Sequence, residues 1–277
     1  MMTARNRYGI LAPPLAMFAL LVLLTLIGPM AWPHNAYDMD FAAVLAPPSW
    51  DHPMGTDANG RDVLARFLDG GRLSLLVGVV VMVGGLVPGA LLGILAARLG
   101  GVVDAFVMRM SDSIAAFPPI LLAMAVAIGL GGGLATAVLG VILSTLPFFA
   151  RLMRSETRRI LAMPFIEAAR AMGASPALIV MRHVLPHSAS TMLVQSAAVF
   201  GYGIATLAGL GFVGLGAPIP TAEWGVMITD GMPYALTGQW WIAVFPGLGI
   251  LLAVSAANML ADRLSGLLRG DGEEVRP

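Results

Sequence analysis

The stretch MPFIEAARAMGASPALIVMRHVLPHS, residues 163–188, is a polar-flanked, helix-forming piece in a chain otherwise built of long apolar runs. Pro164 suits the first position of a helix, Glu167 lies in the first turn where the positive end of the backbone dipole favours a carboxylate, and Gly173 suits the exit. The helix so predicted has about nine residues. Phe165, Ala168, Ala169 and Met172 fall at helical spacing and line one small apolar face, while Glu167 and Arg170 share another. Ser175 then caps a second short helix that starts at Pro176, carries Ile179, Val180, His183 and Val184 on one side, and ends at Leu185-Pro186. At about 1.5 Å per residue the first helix is only about 13 Å long, against roughly 30 Å of bilayer core. It is expected outside the membrane, where its periodicity alone fits a solvated amphipathic linker.

The rest of the chain sets the environment. Hydrophobic residues make up 58% of the sequence and charged residues 12%, with mean hydropathy +0.84, which places it among membrane proteins. The net charge is zero and there is no cysteine, so neither nucleic-acid attraction nor a thiol, disulfide or zinc–thiolate site has support, and no metal site is expected. Every basic residue is arginine. Without lysine no GxxxxGK[ST] phosphate loop exists, so any ATP must bind elsewhere and no cofactor is expected on this chain.

Read in order, residues 10–30 form a first membrane helix, taken as an uncleaved anchor rather than a signal peptide. Residues 31–71 are an excursion rich in Pro and Asp, whose charge suggests the outer side. Residues 73–97 give a second helix, with Gly85, Gly89 and Gly93 in a small-xxx-small pattern that favours tight packing in lipid. A third is expected over 103–128, kinked at Pro118-Pro119, with Asp104 and Asp112 near its end where water or Arg109 satisfies them. A fourth covers 134–150. Arg151, Arg154, Arg158, Arg159, Arg170 and Arg182 face only Glu156 and Glu167, which puts the opening stretch in the cytoplasm by the positive-inside rule. A fifth helix is read over 191–210, a glycine-rich outer run follows, and a sixth covers 239–260 before a polar tail containing Asp262, Arg263, Arg269, Asp271, Glu273, Glu274 and Arg276. Trp224, Trp240 and Trp241 fit an interfacial aromatic belt. Both termini come out cytoplasmic.

Three segments then carry a resemblance. Glu167-Ala168-Ala169, Gly173 and Leu185-Pro186 fit the spacing of the EAA loop of bacterial ABC importer permeases; His183 departs from the general pattern, although Arg182-His183 before Leu185-Pro186 resembles the peptide and nickel branch, from which His187 in turn departs. HPMGTDANGRDVLARFLDGGRLSLLVG, residues 52–78, resembles the segment that marks C-type permeases of dipeptide, oligopeptide and nickel importers. Residues 210–225, with Glu223-Trp224-Gly225, and the later Trp240-Trp241 and Phe245-Pro246-Gly247 resemble further segments of that family.

The resemblance implies an all-α membrane protein with six transmembrane helices, a type I ABC importer permease with a cytoplasmic coupling helix in the bacterial inner membrane. It divides the chain into an anchor helix and outer loop (1–71), a permease domain (72–262, coupling loop about 151–190) and a short cytoplasmic tail (263–277). Glu167, Ala168, Ala169, Arg170, Gly173, Leu185 and Pro186 would serve ATPase coupling. Gly55, Thr56, Asp57, Gly60, Arg61 and Asp62 form the outer-loop motif, where Thr56 or Asp57 can bond the following backbone and Gly60 permits an unusual turn. Glu223, Trp224 and Gly225 belong to the outer side. The implied partners are a B-type permease forming a heterodimer, two ATP-binding subunits or domains carrying ATP and Mg, an extracytoplasmic solute-binding protein and the lipid bilayer, with no nucleic acid. The cargo would be peptides, related small solutes or nickel chelates. An ion-coupled secondary transporter is the alternative, and it would place coupling carboxylates near the midplane, where none is read. An enzyme is not expected: no His-Glu-x-x-His occurs, and His34, His52, His183 and His187 all fall outside the predicted spans.

Overall fold

Asp62 opens the longest helix by accepting a hydrogen bond from the Ala65 N–H at 2.6 Å, which stops the chain's extended run and starts α2, Val63–Leu99. In this computed structural model, which describes residues 4–269 and side chains over 13–266, the remaining elements are helical. They are α1 (Ala4–Ala31), α3 (Gly101–Ala115), α4 (Pro119–Gly129), α5 (Leu134–Leu161), α6 (Pro164–Ala171), α7 (Pro176–Ile179), α8 (Leu185–Phe212), α9 (Trp224–Ala235) and α10 (Trp241–Arg269). A π turn, Val180–Val184, joins α7 to α8. Among the described residues five helices are long and apolar enough to cross a bilayer, and six if α3 and α4 together make one span. Asp271, Glu273, Glu274 and Arg276 of the expected tail lie outside the described residues.

Close pairings give the helix directions. Gly84, Gly85, Gly89 and Gly93 of α2 meet Ile142, Thr145, Phe149 and Arg154 of α5 in the same order, so α2 and α5 run parallel. Gly71 meets Thr25 of α1, and Gly78 meets Phe200 and Ile204 of α8; Thr56 meets Trp241 at the start of α10. The spans therefore alternate in direction, with α1 starting and α10 finishing at the end of the bundle that carries α6. The α1–α2 loop and α9 lie at the opposite end.

The expected packing of the glycine stripe is what the structure shows. A Cβ at Gly89 would sit 2.9 Å from the Leu146 carbonyl oxygen and one at Gly93 would sit 2.8 Å from the Arg154 nitrogen, so only a missing side chain lets these backbones approach. Around that seam lies one core, including Val81, Ile94, Phe149, Met153, Ile166, Ile179 and Val184. A second holds Leu21, Phe67, Phe200, Ile204, Trp224 and Trp241 at the opposite end.

Several expectations are corrected. Pro118-Pro119 does not kink one helix but breaks it: Pro118 is extended, Pro119 starts α4, and α3 and α4 meet at 89°, since a residue before proline is driven from the helical region. α2 begins ten residues before the expected Leu73, because Arg66 finds partners inside the protein: the carbonyls of Ala36 at 3.2 Å and Pro220 at 3.3 Å. α5 continues past Ala150 to Leu161, with Arg158 and Arg159 in its last turn, where the helix dipole favours cations. Leu185-Pro186 does not end a helix. The π turn displaces the ladder so that Leu185 N–H reaches the Val180 carbonyl and Pro186 enters α8 near its first turn.

Candidate functional site

The α6 stub stands between two turns built for it. Met163 is extended before Pro164, and the exit is a Schellman motif: Gly173 N–H bonds the Arg170 carbonyl at 2.9 Å and Ala174 N–H the Ala169 carbonyl at 3.0 Å. Gly173 holds φ +83°, with open space where a Cβ would stand; its conformation, not crowding, requires glycine. Ser175 then caps α7 by accepting from Leu178 N–H at 3.2 Å, as its position predicts.

Of the small apolar stripe on α6 only Ala169 is buried, and Ile166, outside the stripe, joins it. Ile166 and Ala169 point into the core, while Phe165, Ala168 and Met172 are exposed, Met172 at 82%. Core contacts with the neighbourhood of Ile160, Ile179 and Val184 draw in Ile166, the larger branched residue, and this leaves Phe165, Ala168 and Met172 of the stripe facing outward. The result is a stub anchored on one side that presents Phe165, Glu167, Ala168, Arg170 and Met172 on the others. Phe165 is also braced: its ring stacks on His187 at 5.3 Å and tilts against His183 at 5.6 Å. Leu185 and Pro186 are exposed beside it.

An ion cluster holds this end together. Asp104 of α3 accepts from Arg154 Nη2 and Arg158 Nη2, each at 2.6 Å, and Asp112 accepts from Arg151 at 3.1 Å. The aspartates are therefore satisfied by the arginines of α5 rather than by Arg109. The i, i+4 spacing of Arg154 and Arg158 was the available signal for this pairing.

At the opposite end the second group of singled-out residues is locked into packing. Asp57 accepts from Arg61 Nε at 2.7 Å and from the backbone of Asn59 and Arg61 at 2.8 and 3.0 Å. Thr56 and Asp62 pair across an isolated bridge. Gly60 is in the left-handed region, and a Cβ there would overlap the Asp40 carbonyl; Gly55 lies against the Trp241 indole. The fully buried Glu223 accepts from Ser74 Oγ at 2.7 Å and from Val226 N–H at 3.0 Å, which caps α9. Gly225 packs on Ala208.

The aromatic-belt reading fails for two of three tryptophans. Trp224 is fully buried, stacked on Phe67 at 5.2 Å, and its Nε1–H donates to the Phe67 carbonyl at 2.9 Å. Trp241 is buried and donates to the Thr56 carbonyl at 3.0 Å. Internal acceptors take both N–H groups, so neither needs the interface; Trp240 alone stays half exposed. On α9, Asp230 has its carboxyl raised above the usual range by burial, with Arg66 and Arg61 pulling the other way.

The sequence that builds this fold matches a known family. The profile described as "Binding-protein-dependent transport system inner membrane component" matches residues 89–270. The chain belongs to this permease family. It is 39% identical over 250 residues to a probable D,D-dipeptide transport system permease of Escherichia coli K12, covering 90% of this chain and 83% of the relative. It is 36% identical to a dipeptide transport system permease of Alkalihalophilus pseudofirmus, covering 89% and 81%. A glutathione transport system permease of Pectobacterium atrosepticum is 39% identical, with 91% and 86% covered. In fold, the chain is similar to a chain of the MetNI methionine ABC transporter, solved in inward-facing conformations, with TM-score 0.58 at 23% identity, covering 73% of this chain and 95% of that one.

The chain is thus a multi-pass permease with a type I ABC importer fold, not an enzyme, and the ion-coupled carrier is not favoured.

Proposed function

We propose that this permease is the C-type half of an ATP-driven importer of peptides or related small solutes, and that α6 is its coupling helix. The observation that carries the reading is the burial pattern of α6: Ile166 and Ala169 fix it to the core while Phe165, Glu167, Arg170 and Met172 are presented for a partner. The names of the relatives support peptides as cargo. On this reading the loop at about 151–190 lies within a permease domain over 72–262, preceded by an anchor and outer loop (1–71) and followed by a cytoplasmic tail.

α6 faces the cytoplasm, as do both termini, and seats in a groove of an ATP-binding subunit that carries ATP and Mg; this chain holds no cofactor. A B-type permease supplies the other half of the pathway. The opposite end, tied by Asp57, Arg61, Glu223 and Trp224, receives a solute-binding protein. Nucleotide closure moves α6, and the rigid contacts of Ile166 and the Asp104–Arg154 pair pass that displacement to α3 and α5. The bias arises from differential binding of the motor to two packings of the helices.

The test is uptake in proteoliposomes. The complete assembly is expected to import peptide only with ATP and ATP-binding subunits, and to be indifferent to a protonophore. Uptake by the permeases alone, driven by an ion gradient, would contradict the reading.

A further inference from the structure

At the end opposite α6, three side chains that the coupling geometry leaves unused converge. His34 follows α1, while His52 and Asp62 lie in the loop that leads into α2. Each offers one donor atom, and the three atoms lie within 4.8 Å of one another. His52 Nδ1 is 2.8 Å from Asp62 Oδ2, and the two imidazole rings are 4.8 Å apart.

We propose that His34, His52 and Asp62 form a site for a divalent first-row transition ion such as Zn2+, clasping the chain after α1 to the loop before α2. Two imidazoles and a carboxylate are a borderline N/O donor set of the kind such ions take. Bonds of about 2.0–2.2 Å in a tetrahedral arrangement place donor atoms roughly 3.3 Å apart. The His52–Asp62 pair is already near that bite. His34, on the segment that follows α1, closes the set with a small movement, since the three donor atoms already lie within 4.8 Å of one another.

The carboxylate is held for the purpose. Asp62 is buried, and its Oδ1 accepts from Ala65 N–H at 2.6 Å and from Trp32 Nε1–H at 3.2 Å, which leaves Oδ2 turned to the histidines. Such outer contacts fix a ligand's orientation. Coordination through His52 Nδ1 uses the tautomer that carries the proton on Nε2, so the ring stays neutral while Nδ1 and Asp62 Oδ2, now 2.8 Å apart, both turn to the ion. Three protein donors leave a fourth position for water.

The His52–Asp62 hydrogen bond alone would serve the loop's own structure, so His34 is the residue that decides. Its described contacts are ring contacts with Trp32 and His52.

The experiment titrates the full chain, purified with its partner subunits and treated with chelator, with Co2+ followed optically and with Zn2+ by calorimetry. One ion per chain is expected, with the visible bands of Co2+ bound by nitrogen and oxygen, displaced by Zn2+. His34→Ala is expected to weaken binding by about tenfold or more, since loss of an outer-shell partner alone costs about 10–100-fold. Zn2+ should raise the melting temperature of the unaltered protein and not that of the variant. His34 belongs to none of the apolar cores, so the variant is expected to fold, and the stoichiometry of the unaltered chain is an independent readout. No saturable binding, or binding by His34→Ala as tight as by the unaltered chain, would overturn the proposal.

Discussion

Asp104 accepts a hydrogen bond from Arg154 at 2.6 Å across fifty residues of sequence, joining the first turn of α3 to the stretch of α5 that leads into α6. The pair is partly buried and shares Arg158. Removing one partner leaves the others uncompensated, whereas exchanging both restores the attraction. Asp104→Asn is therefore expected to lower ATP-coupled uptake severalfold, and the double exchange Asp104→Arg with Arg154→Asp to recover part of it. Equal uptake in the single variant would show that the pair is incidental.

Gly93 is crowded by the α5 backbone, with the Arg154 nitrogen 2.8 Å from where a Cβ would stand, while Gly247 on α10 has open space around it. Gly93→Val should force α2 from α5 and cut the yield of folded permease sharply. Gly247→Val should not. Size-exclusion profiles in detergent would check both, and comparable profiles would contradict the packing argument.

Gly173 meets nothing, yet its φ of +83° is costly for other residues. Gly173→Ala should strain the turn by about 1 kcal/mol. Membrane insertion should be intact while uptake per ATP hydrolysed falls. Gly173→Arg should do so more strongly, by filling the docking surface. The measurement is the ratio of transport to hydrolysis in proteoliposomes, and an unchanged ratio in both variants would count against coupling at α6.

Asp230 has a raised carboxyl because burial disfavours its charge. In the window between the ordinary carboxylate value and this higher one, the folded state holds more protons than the unfolded state, so stability falls as pH rises through it. Asp230→Asn should flatten this slope in thermal denaturation followed across weakly acidic pH. An unchanged slope would assign the dependence to other groups.

How much of this the sequence revealed depends on where each residue's partner lies. Gly173, Ser175 and the Gly85–Gly89–Gly93 stripe were legible because their rules are local: a φ sign, a cap, a four-residue repeat. α9 was not, because its cap is Glu223, an uncommon capping residue, held by Ser74 some 150 positions away. Trp224 and Trp241 read as interfacial for the same reason: their acceptors, the Phe67 and Thr56 carbonyls, come from distant loops and helices. Charge placed the boundary of α2 too late, since nothing local shows that Arg66 is answered by Ala36 and Pro220. On α6, periodicity found a stripe, but which side would be buried was decided by Ile160 and Ile179 of neighbouring elements.

The central claim is that α6 meets an ATP-binding subunit at the inner membrane surface. The chain has no cysteine, so Met172→Cys, at a position 82% exposed, supplies a single reactive thiol in the permease. In the assembled transporter a short thiol-directed crosslinker should join Cys-substituted position 172 to the ATP-binding subunit, in an amount that changes with nucleotide, and an impermeant maleimide added to intact cells should leave it unlabelled. Labelling from outside, or no crosslink in an active assembly, would contradict the account.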